Sequence, residues 1–394
     1  MLSKLEWRVA PAALLLFIAA GCGKVAQTVP PSAPPSVTAA GEPTFRRSEA
    51  VGFVADARLI DTTRGIDEMR AIDVGGIKQW ISVRGRDRRN PILLFVHGGP
   101  GSPMMPASWF YQTPWEEYFT VVQWDQRGAG KTAAANDPAR IGPTITVDRM
   151  TADGEEVIQY LRATYHKDKI FLMGHSWGTF IGVNVAQHHP EWLHAYIGMG
   201  QAVYGVENER LGYEFALREA KAHGNQQAVA ELQKLMPYPD ADGTVPVDKI
   251  LVQRKWVITY GGLTWHRSSY DYDQNLAKLA PEYRPEDVTA LQQTDLTALK
   301  QLLGPPNRLD YRATTTFRCP VFLFAGRYDY ETVSEVAYAW YQTLKAPKKG
   351  FVWFENSAHM LPFEEPGKLL IHLVQDVRPV AEAAGDAPPA KFRP

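Results

Sequence analysis

The sequence predicts an α/β fold in which a mostly parallel sheet is covered by helices on both faces. Short runs of continuous apolar residues recur along the chain, and such runs are typical of strands buried on both sides. Segments with helical spacing separate several of these runs, and strands that alternate with helices pair mostly in parallel. The apolar runs are Ile92–Val96, Phe119–Trp124, Ile170–Met173, His194–Gly200, Val321–Phe324 and Phe351–Phe354.

The composition is that of an ordinary globular protein. Of 394 residues, 45% are hydrophobic and 22% are charged, and the formal net charge is -1. Because the chain has no basic excess that could neutralise phosphates, no nucleic-acid partner is expected. No Gly-x-Gly-x-x-Gly follows a predicted strand, and the adjacent His188 and His189 face different directions. We therefore expect neither a dinucleotide cofactor nor a metal.

Residues 1–22 have the features of an export signal. Lys4 and Arg8 flank a charged segment, and the apolar run Val9–Ala20 is shorter than the ~20 residues that span a bilayer. The run ends in Ala-Ala-Gly-Cys22, which resembles the lipobox of bacterial lipoproteins, where the cysteine carries the lipid. This predicts a membrane-anchored lipoprotein on the periplasmic or cell-surface side, lipidated on Cys22. The alternatives are a plain signal peptide or an apolar N-terminal helix, with Cys22 incidental.

The other segment boundaries follow from shifts in composition and periodicity. A proline-rich stretch indicates a disordered linker, and apolar runs indicate a core in two parts. After Gly200 the spacing becomes helical, and a helical insertion between two halves of one sheet predicts a cap over the carboxyl ends of the strands. The predicted segments are linker 23–43, first core part 44–200, helical cap 201–312, second core part 313–380 and disordered tail 381–394.

Two elements are predicted before the first buried run, and one helix after it. Val51–Ile60 and Met69–Val83 have the character of strands, with a candidate turn at Asp73–Gly76. Met150–Tyr165 has helical spacing and leads into the run Ile170–Met173. The second cysteine, Cys319, directly precedes an apolar run, where it is expected to be a small buried hydrophobe, with a reactive thiol as the alternative.

The run Ile170–Met173 meets Gly174-His175-Ser176-Trp177-Gly178, and a small-residue helical pattern follows. Strand, sharp turn and helix are the context that a Gly-x-Ser-x-Gly nucleophile elbow requires, with Ser176 at the tip of the turn. Taken alone, the five residues also suit a glycine-lined turn that packs a helix on a sheet. His175 lies within the turn and is expected to support the structure around the serine.

A catalytic serine needs a base that takes its proton and an acid that orients the base. In this strand arrangement the acid and then the histidine follow the serine along the chain. Asp329 comes after the run Val321–Phe324, and His359 comes after the last predicted strand. Asp329 could instead cap a helix, His359 could be a surface histidine, and Glu331 is a lower-ranked rival acid.

The oxyanion that forms during acyl transfer needs backbone donors. One is expected from the residue after the nucleophile, Trp177, and the other from an earlier strand-end loop. The segment His97–Gly101, with two adjacent glycines and a proline, follows the run Ile92–Val96 and is the candidate loop.

Together these motifs resemble the proline iminopeptidase group of α/β hydrolases. The resemblance covers about Met69 to Gly200 and Arg318 to Leu373 and is weaker through the predicted cap. It implies an α/β-hydrolase fold and release of an N-terminal residue, often proline, through an acyl-enzyme without metal. It also implies that Gly99 and Trp177 supply the oxyanion donors. The residues that carry it are His97–Gly101, Asp125–Thr132, Gly174–Gly178, Gly326–Asp329 and Ala358–His359.

The resemblance further implies that glutamates of the cap bind the free amine of the substrate. Glu207 and Glu209 lie at the matching place just after the sheet-to-cap crossing, although two acidic residues on an exposed helical face are also ordinary. The expected function is therefore a serine peptidase acting on the N-terminus of peptides. The alternatives are an esterase or amidase for small substrates and a binding module without chemistry. The sequence leaves the oligomeric state open.

Overall fold

Eight strands form one sheet within the part of the chain that the structure describes. The structure is a computed structural model, and it describes residues 46–284, 286–287, 296–303 and 309–388. The predicted signal 1–22 with Cys22, and the linker 23–43, lie outside the described residues. The strands are β1 (Ile66–Val74), β2 (Ile77–Gly85), β3 (Ile92–Val96), β4 (Thr120–Asp125), β5 (Ile170–His175), β6 (Leu193–Met199), β7 (Val321–Gly326) and β8 (Lys349–Phe354).

The strand order is β1-β2-β4-β3-β5-β6-β7-β8. β1 pairs antiparallel with β2, and β2 pairs antiparallel with β4. Every other pairing, from β4 across to β8, is parallel. The predicted mostly parallel sheet is confirmed. Since the carboxyl ends of parallel strands meet at one edge of a sheet, the loops after β3, β5, β7 and β8 gather there.

Helices surround the sheet. Before β7 the helices within the described residues are α1 (Arg47–Ala57), α2 (Gly130–Ala134), α3 (Pro138–Ile141), α4 (Val147–Thr164), α5 (Gly178–His188), α6 (Gly205–Ala222), α7 (Gln226–Gln233), α8 (Val247–Thr259), α9 (Asp271–Ala277) and α10 (Leu296–Leu302). After β7 they are α11 (Ser334–Thr343), α12 (Leu361–Glu364), α13 (Pro366–His372) and α14 (Pro379–Ala383). Short 3₁₀ turns occupy Met105–Phe110, Thr113–Glu117, Gly142–Thr144 and Pro190–Trp192, and a π-turn occupies Leu373–Val377.

Successive strand positions alternate between two buried apolar layers. In β3, Leu94 and Val96 belong to the layer that includes Ile181 of α5. Leu93 and Phe95 belong to the layer on the other face. All four strand side chains are fully buried. Because side chains of a strand point alternately to opposite faces, a strand covered on both sides must be apolar throughout, as the sequence of β3 is.

The described helices between β6 and β7 include a set with an apolar core of its own. Ala216 of α6, Leu232 of α7 and Val257 of α8 are fully buried in this cluster. Leu302 of α10 is instead buried in a layer against the sheet. The insertion is therefore partly self-supporting and partly packed on the core.

The prediction of a strand at Val51–Ile60 is wrong, because Arg47–Ala57 form α1. The carboxylate of Glu49 accepts a hydrogen bond from the N–H of Arg46 at 3.0 Å and so caps the first turn. No residue of α1 is buried. This cap and the bonds from the Arg47 side chain to the carbonyls of Lys278 and Tyr283 support the helix, whereas the apolar content of the segment suggested a strand.

The first residues of the predicted disordered tail 381–394 differ from that expectation. Ala381 is fully buried against the sheet as part of α14. The carboxylate of Asp386 lies 2.8 Å from Nε2 of His194 and 2.8 Å from Nζ of Lys167. These partners are distant in sequence, so local composition could not reveal them. Residues 389–394 lie outside the described part. Among the described helices, none combines the length and apolar character needed to cross a bilayer.

Candidate active site

Ser176 stands on a sharp turn between β5, which ends at His175, and α5, which begins at Gly178. Its φ is +54°, in the left-handed region that residues other than glycine rarely adopt. The N–H of Ser176 donates to the carbonyl of Met199 at the end of β6, at 3.0 Å. The structure thus has the strand, strained turn and helix that a nucleophile elbow requires.

The loop after β3 lies directly against Ser176. A Cβ atom added to Gly98 would lie 2.6 Å from Cβ of Ser176, closer than two such atoms can approach. Gly99 follows with a φ of +113°. Among the described residues, the N–H groups of Gly99 and Trp177 have no hydrogen-bond acceptor. Two backbone donors are therefore available beside the serine, as an oxyanion hole requires.

A buried pair that the sequence did not assign fixes the shape of this loop. His97 is buried, and burial lowers its pKa to about 4, so the imidazole is neutral at neutral pH. Its Nε2 lies 3.3 Å from the N–H of Gln126 and accepts from it, which leaves the proton on Nδ1, 2.9 Å from the carbonyl of Gly98. The side-chain amide of Gln126 donates to the carbonyl of His97 at 2.7 Å.

Asp329 and His359 form a buried pair at the carboxyl ends of β7 and β8. Nδ1 of His359 lies 2.8 Å from Oδ2 of Asp329. The other oxygen of Asp329 accepts from the N–H groups of Glu331, at 2.9 Å, and Thr332, at 2.8 Å. Asp329 therefore caps a turn with one oxygen and holds the imidazole with the other, so the two alternatives weighed for it occur together.

The hydroxyl of Thr332 contacts both members of this pair. Sequence reasoning missed this residue. Its Oγ1 donates to Oδ2 of Asp329 at 3.0 Å and lies 3.2 Å from Nδ1 of His359. Burial alone would lower the pKa of His359, but the charge of Asp329 and its hydrogen bond outweigh burial and raise that pKa above the ordinary value.

The end of β6 connects the serine to the histidine. Met199 accepts the N–H of Ser176, and a Cβ atom added to the next residue, Gly200, would lie 2.9 Å from Cε1 of His359. His175 makes a second connection, because its ring centroid lies 4.7 Å from that of His359. The structure thus brings Ser176, Asp329 and His359 to one edge of the sheet.

Glu331, the rival acid, is directed to a different partner. Its carboxylate pairs with the guanidinium of Arg254 from α8, at 2.5 Å. The same guanidinium pairs with Glu209 of α6, which also accepts the hydroxyl of Tyr238. Burial opposes the charge of Arg254, but the two carboxylates hold its pKa well above its ordinary value. Sequence spacing gave no signal for this network.

The two candidate amine-binding glutamates lie in different surroundings. Glu207 is partly exposed and pairs with Arg210 one turn along α6, at 2.7 Å. Glu209 is buried and lines a cavity of about 520 Å³ that also contacts Phe180 of α5. Phe180 packs edge-on against Trp177, with ring centroids 6.2 Å apart. Of the two glutamates, only Glu209 is therefore beside a space next to the elbow helix.

Two further features are the second cysteine and the arrangement of possible metal ligands. Cys319 is buried, and burial raises the pKa of its thiol to about 11, so it is protonated at neutral pH, as expected of a small buried hydrophobe. Within the described ranges, no group of three or more His, Cys, Asp or Glu side chains is arranged to hold a metal ion.

Comparisons with known proteins give the family. A family model described as the alpha/beta hydrolase fold matches residues 91–366, which is more than half of the chain. The chain therefore belongs to the α/β hydrolase fold family.

Relatives in this family include named peptidases. The probable aminopeptidase YbaC of Bacillus subtilis (strain 168) is 31% identical over 315 residues, which cover 78% of this chain and 95% of the relative. The proline iminopeptidase of Heyndrickxia coagulans is 23% identical over 287 residues, which cover 71% of this chain and 87% of the relative. A crystal structure of proline iminopeptidase from Mycobacterium smegmatis has a TM-score of 0.57 at 15% identity, over 80% of this chain and 100% of that chain. At that identity the likeness shows the fold.

Proposed function

From its membership of the α/β hydrolase fold family, we propose that this protein is a serine hydrolase that releases the N-terminal residue of peptides through an acyl-enzyme. The observation that carries the proposal is the buried pair of Asp329 and His359, which lies at the same edge of the sheet as the elbow serine, with the rings of His359 and His175 4.7 Å apart. Acyl transfer requires a nucleophile, a base, an acid that orients the base and donors for the oxyanion. The residues at this edge of the sheet have the chemistry for each of these roles.

In the proposed mechanism, Nε2 of His359 takes the proton of Ser176 Oγ as that oxygen attacks the carbonyl of the substrate. The N–H groups of Gly99 and Trp177 donate to the developing oxyanion. His359 then gives the proton to the leaving amine, and the C–N bond breaks to leave an ester on Ser176. Water, deprotonated by His359, hydrolyses this ester and restores the serine. Asp329 holds the Nδ1 proton and stabilises the imidazolium in both halves.

Two observations support peptide N-termini as the substrates. The relatives of the family include a probable aminopeptidase and proline iminopeptidases. The cluster of Glu209, Glu331 and Arg254 holds two carboxylates against one guanidinium, so it retains one negative charge beside the cavity. A substrate ammonium would gain charge-assisted hydrogen bonds there. Glu209 is the favoured contact, since Glu207 does not line that cavity.

Turnover of three chromogenic substrates tests the proposal: a proline amide, an alanine amide and an acetyl ester. The amides are measured with a free and with a blocked amine, and Ser176→Ala is the control. Cleavage of the free-amine amides that is lost on blocking supports an aminopeptidase. Cleavage of the ester alone would replace this proposal by the esterase alternative. No Ser176-dependent turnover of any substrate would favour the binding module.

We also propose that the protein is exported and anchored to the membrane by lipid on Cys22. The support is the lipobox-like end of the apolar run at residues 19–22 and the proline-rich stretch that follows it. Expression of the full chain with labelled palmitate, next to Cys22→Ala, tests this. Label in the membrane fraction that disappears in the variant is expected, and an unlabelled wild-type chain would contradict the anchor.

A further inference from the structure

Asn208 of α6 bridges two backbone groups of the loop that follows Asp329. Its Oδ1 accepts from the N–H of Val333 at 2.6 Å, and its Nδ2 donates to the carbonyl of Glu331 at 2.9 Å. One side chain of the inserted helices therefore holds both ends of the segment 331–333. Both bonds join the neutral side-chain amide to a backbone group.

Thr332, the residue between these two anchors, contacts the acid and the base at once. Its N–H and hydroxyl both donate to Asp329, and its hydroxyl lies 3.2 Å from Nδ1 of His359. The N–H of Glu331 donates to Asp329 as well. A shift of residues 331–333 would therefore move three of the donors that orient the Asp329 carboxylate.

We propose that Asn208 is a positioning residue that ties the helical insertion to the orientation of Asp329 and His359. The inference rests on the proposed serine-hydrolase function, because it concerns how accurately the acid holds the base. Asn208 contacts none of the reacting groups and acts through the backbone of the acid loop. Packing of α6 on the core is thereby linked to the geometry of the site.

The bridge is separable from the charged network beside it. Arg254 also contacts this loop through the carboxylate of Glu331, but its removal would leave two carboxylates without their cation. Replacement of the Asn208 amide by alanine changes no charge and affects only the two loop anchors. This variant therefore tests loop position, whereas a variant at Arg254 would mix position with charge.

The test compares Asn208→Ala and the uncharged, similarly sized Asn208→Leu with wild type, with Asn136→Ala as the matched control. The Asn136 amide also donates to two backbone carbonyls, those of Lys78 and Thr132, in a part of the chain outside the site. We expect kcat to fall between about 10- and 100-fold in both Asn208 variants with KM nearly unchanged, because small misplacements of catalytic groups have effects of that order. The control should keep wild-type kcat.

The double variant Asn208→Ala/Asp329→Asn separates positioning from general structural damage. If Asn208 acts through Asp329, the amide has little left to position once the carboxylate is gone, and the double variant should match Asp329→Asn within about 2-fold. Equal losses in both backgrounds, or an unchanged kcat in folded Asn208→Ala and Asn208→Leu, would overturn the inference. Wild-type protein without Ser176-dependent turnover would instead reject the proposed function itself. If Asn208→Ala does not fold, Asn208→Leu decides, since it is close to Asn in size, adds no charge and loses both loop anchors.

Discussion

The imidazole of His175, the residue before the elbow serine, is bonded to the backbone of His359. Nε2 of His175 lies 3.0 Å from the carbonyl of His359, and the two rings are tilted by 35° with centroids 4.7 Å apart. Burial, and to a lesser extent the charge of His359, lower the pKa of His175 to about 3. His175 is therefore neutral at neutral pH and donates its Nε2 proton to that carbonyl. His175 thus joins the elbow to the loop of the proposed base, and it adds no positive charge beside His359.

The midpoint of the acid limb of the pH–activity profile should lie above the ordinary histidine pKa of about 6.5. Several groups face His359: Asp329 and Glu331 on the acid loop, Glu364 on α12, and neutral His175. The three carboxylates raise the pKa of His359 against the effect of burial. Since the proposed base acts in its neutral form, kcat/KM must fall as the pH drops through this raised pKa. A profile from about pH 5 to 9 measures it.

A limb below about pH 6 would contradict this assignment of the base. Asp329→Asn offers the internal check, because loss of the carboxylate removes the main group that raises the pKa of His359. The limb of the residual activity should therefore move to lower pH in that variant.

Asp329→Asn and Glu331→Gln should differ strongly in kcat. The amide that replaces the Asp329 carboxylate would favour the wrong imidazole tautomer, and we expect a loss of roughly 10³–10⁴-fold, as for orienting acids in general. Glu331 contacts Arg254, so its substitution should change kcat less than about 10-fold. Steady-state kinetics of both purified variants measure this. A larger loss in Glu331→Gln would make Glu331 the acid.

Glu209→Gln should raise KM for substrates with a free amine and leave KM for the ester unchanged. Removal of one carboxylate cancels the net negative charge of the cluster beside the cavity, and a charge-assisted hydrogen bond of about 1.5–3 kcal/mol corresponds to a rise in KM of about 10-fold or more. Glu207→Gln is the matched control, because its carboxylate pairs with Arg210 and does not line the cavity. Equal effects of the two variants on KM would remove Glu209 from the amine site.

Gly98→Ala should lower kcat by about 100-fold with the protein still folded. The added methyl would lie 2.6 Å from Cβ of Ser176, so the loop or the serine must shift, and a shift near 1 Å is enough for a loss of that size. Gly367→Ala is the control, since a Cβ there meets no atom within 4 Å and Gly367 lies in α13. Thermal melting checks folding in both. Wild-type kcat in Gly98→Ala would show that the loop does not lie where the structure has it.

The strands and the main site motifs were predictable because their signals are local. A buried strand such as β3 must be apolar at every position, and a strand followed by Gly-x-Ser-x-Gly has few other structures. Asp329 and His359 follow strands β7 and β8, and parallel topology alone then places both at the carboxyl edge of the sheet. No knowledge of distant contacts is needed for these inferences.

The supporting contacts could not be predicted, because they join residues far apart in the chain. Asn208 and Val333 are 125 positions apart, and Arg254 and Glu331 are 77 apart. Nothing in the local pattern of an amphipathic helix such as α6 indicates which polar residue will meet a loop of the core. The same holds for Asp386, which contacts His194 and Lys167 and so holds the start of the expected tail against the protein.

The most direct test of the central claim is labelling of the folded protein with a fluorophosphonate, followed by mass spectrometry of its peptides. A fluorophosphonate reacts with a serine only when a neighbouring base activates it. We expect one adduct on Ser176, no adduct in Ser176→Ala, and much slower labelling in His359→Ala. No labelling of the wild type, or equal labelling of Ser176→Ala, would contradict the assignment of Ser176 as an activated nucleophile.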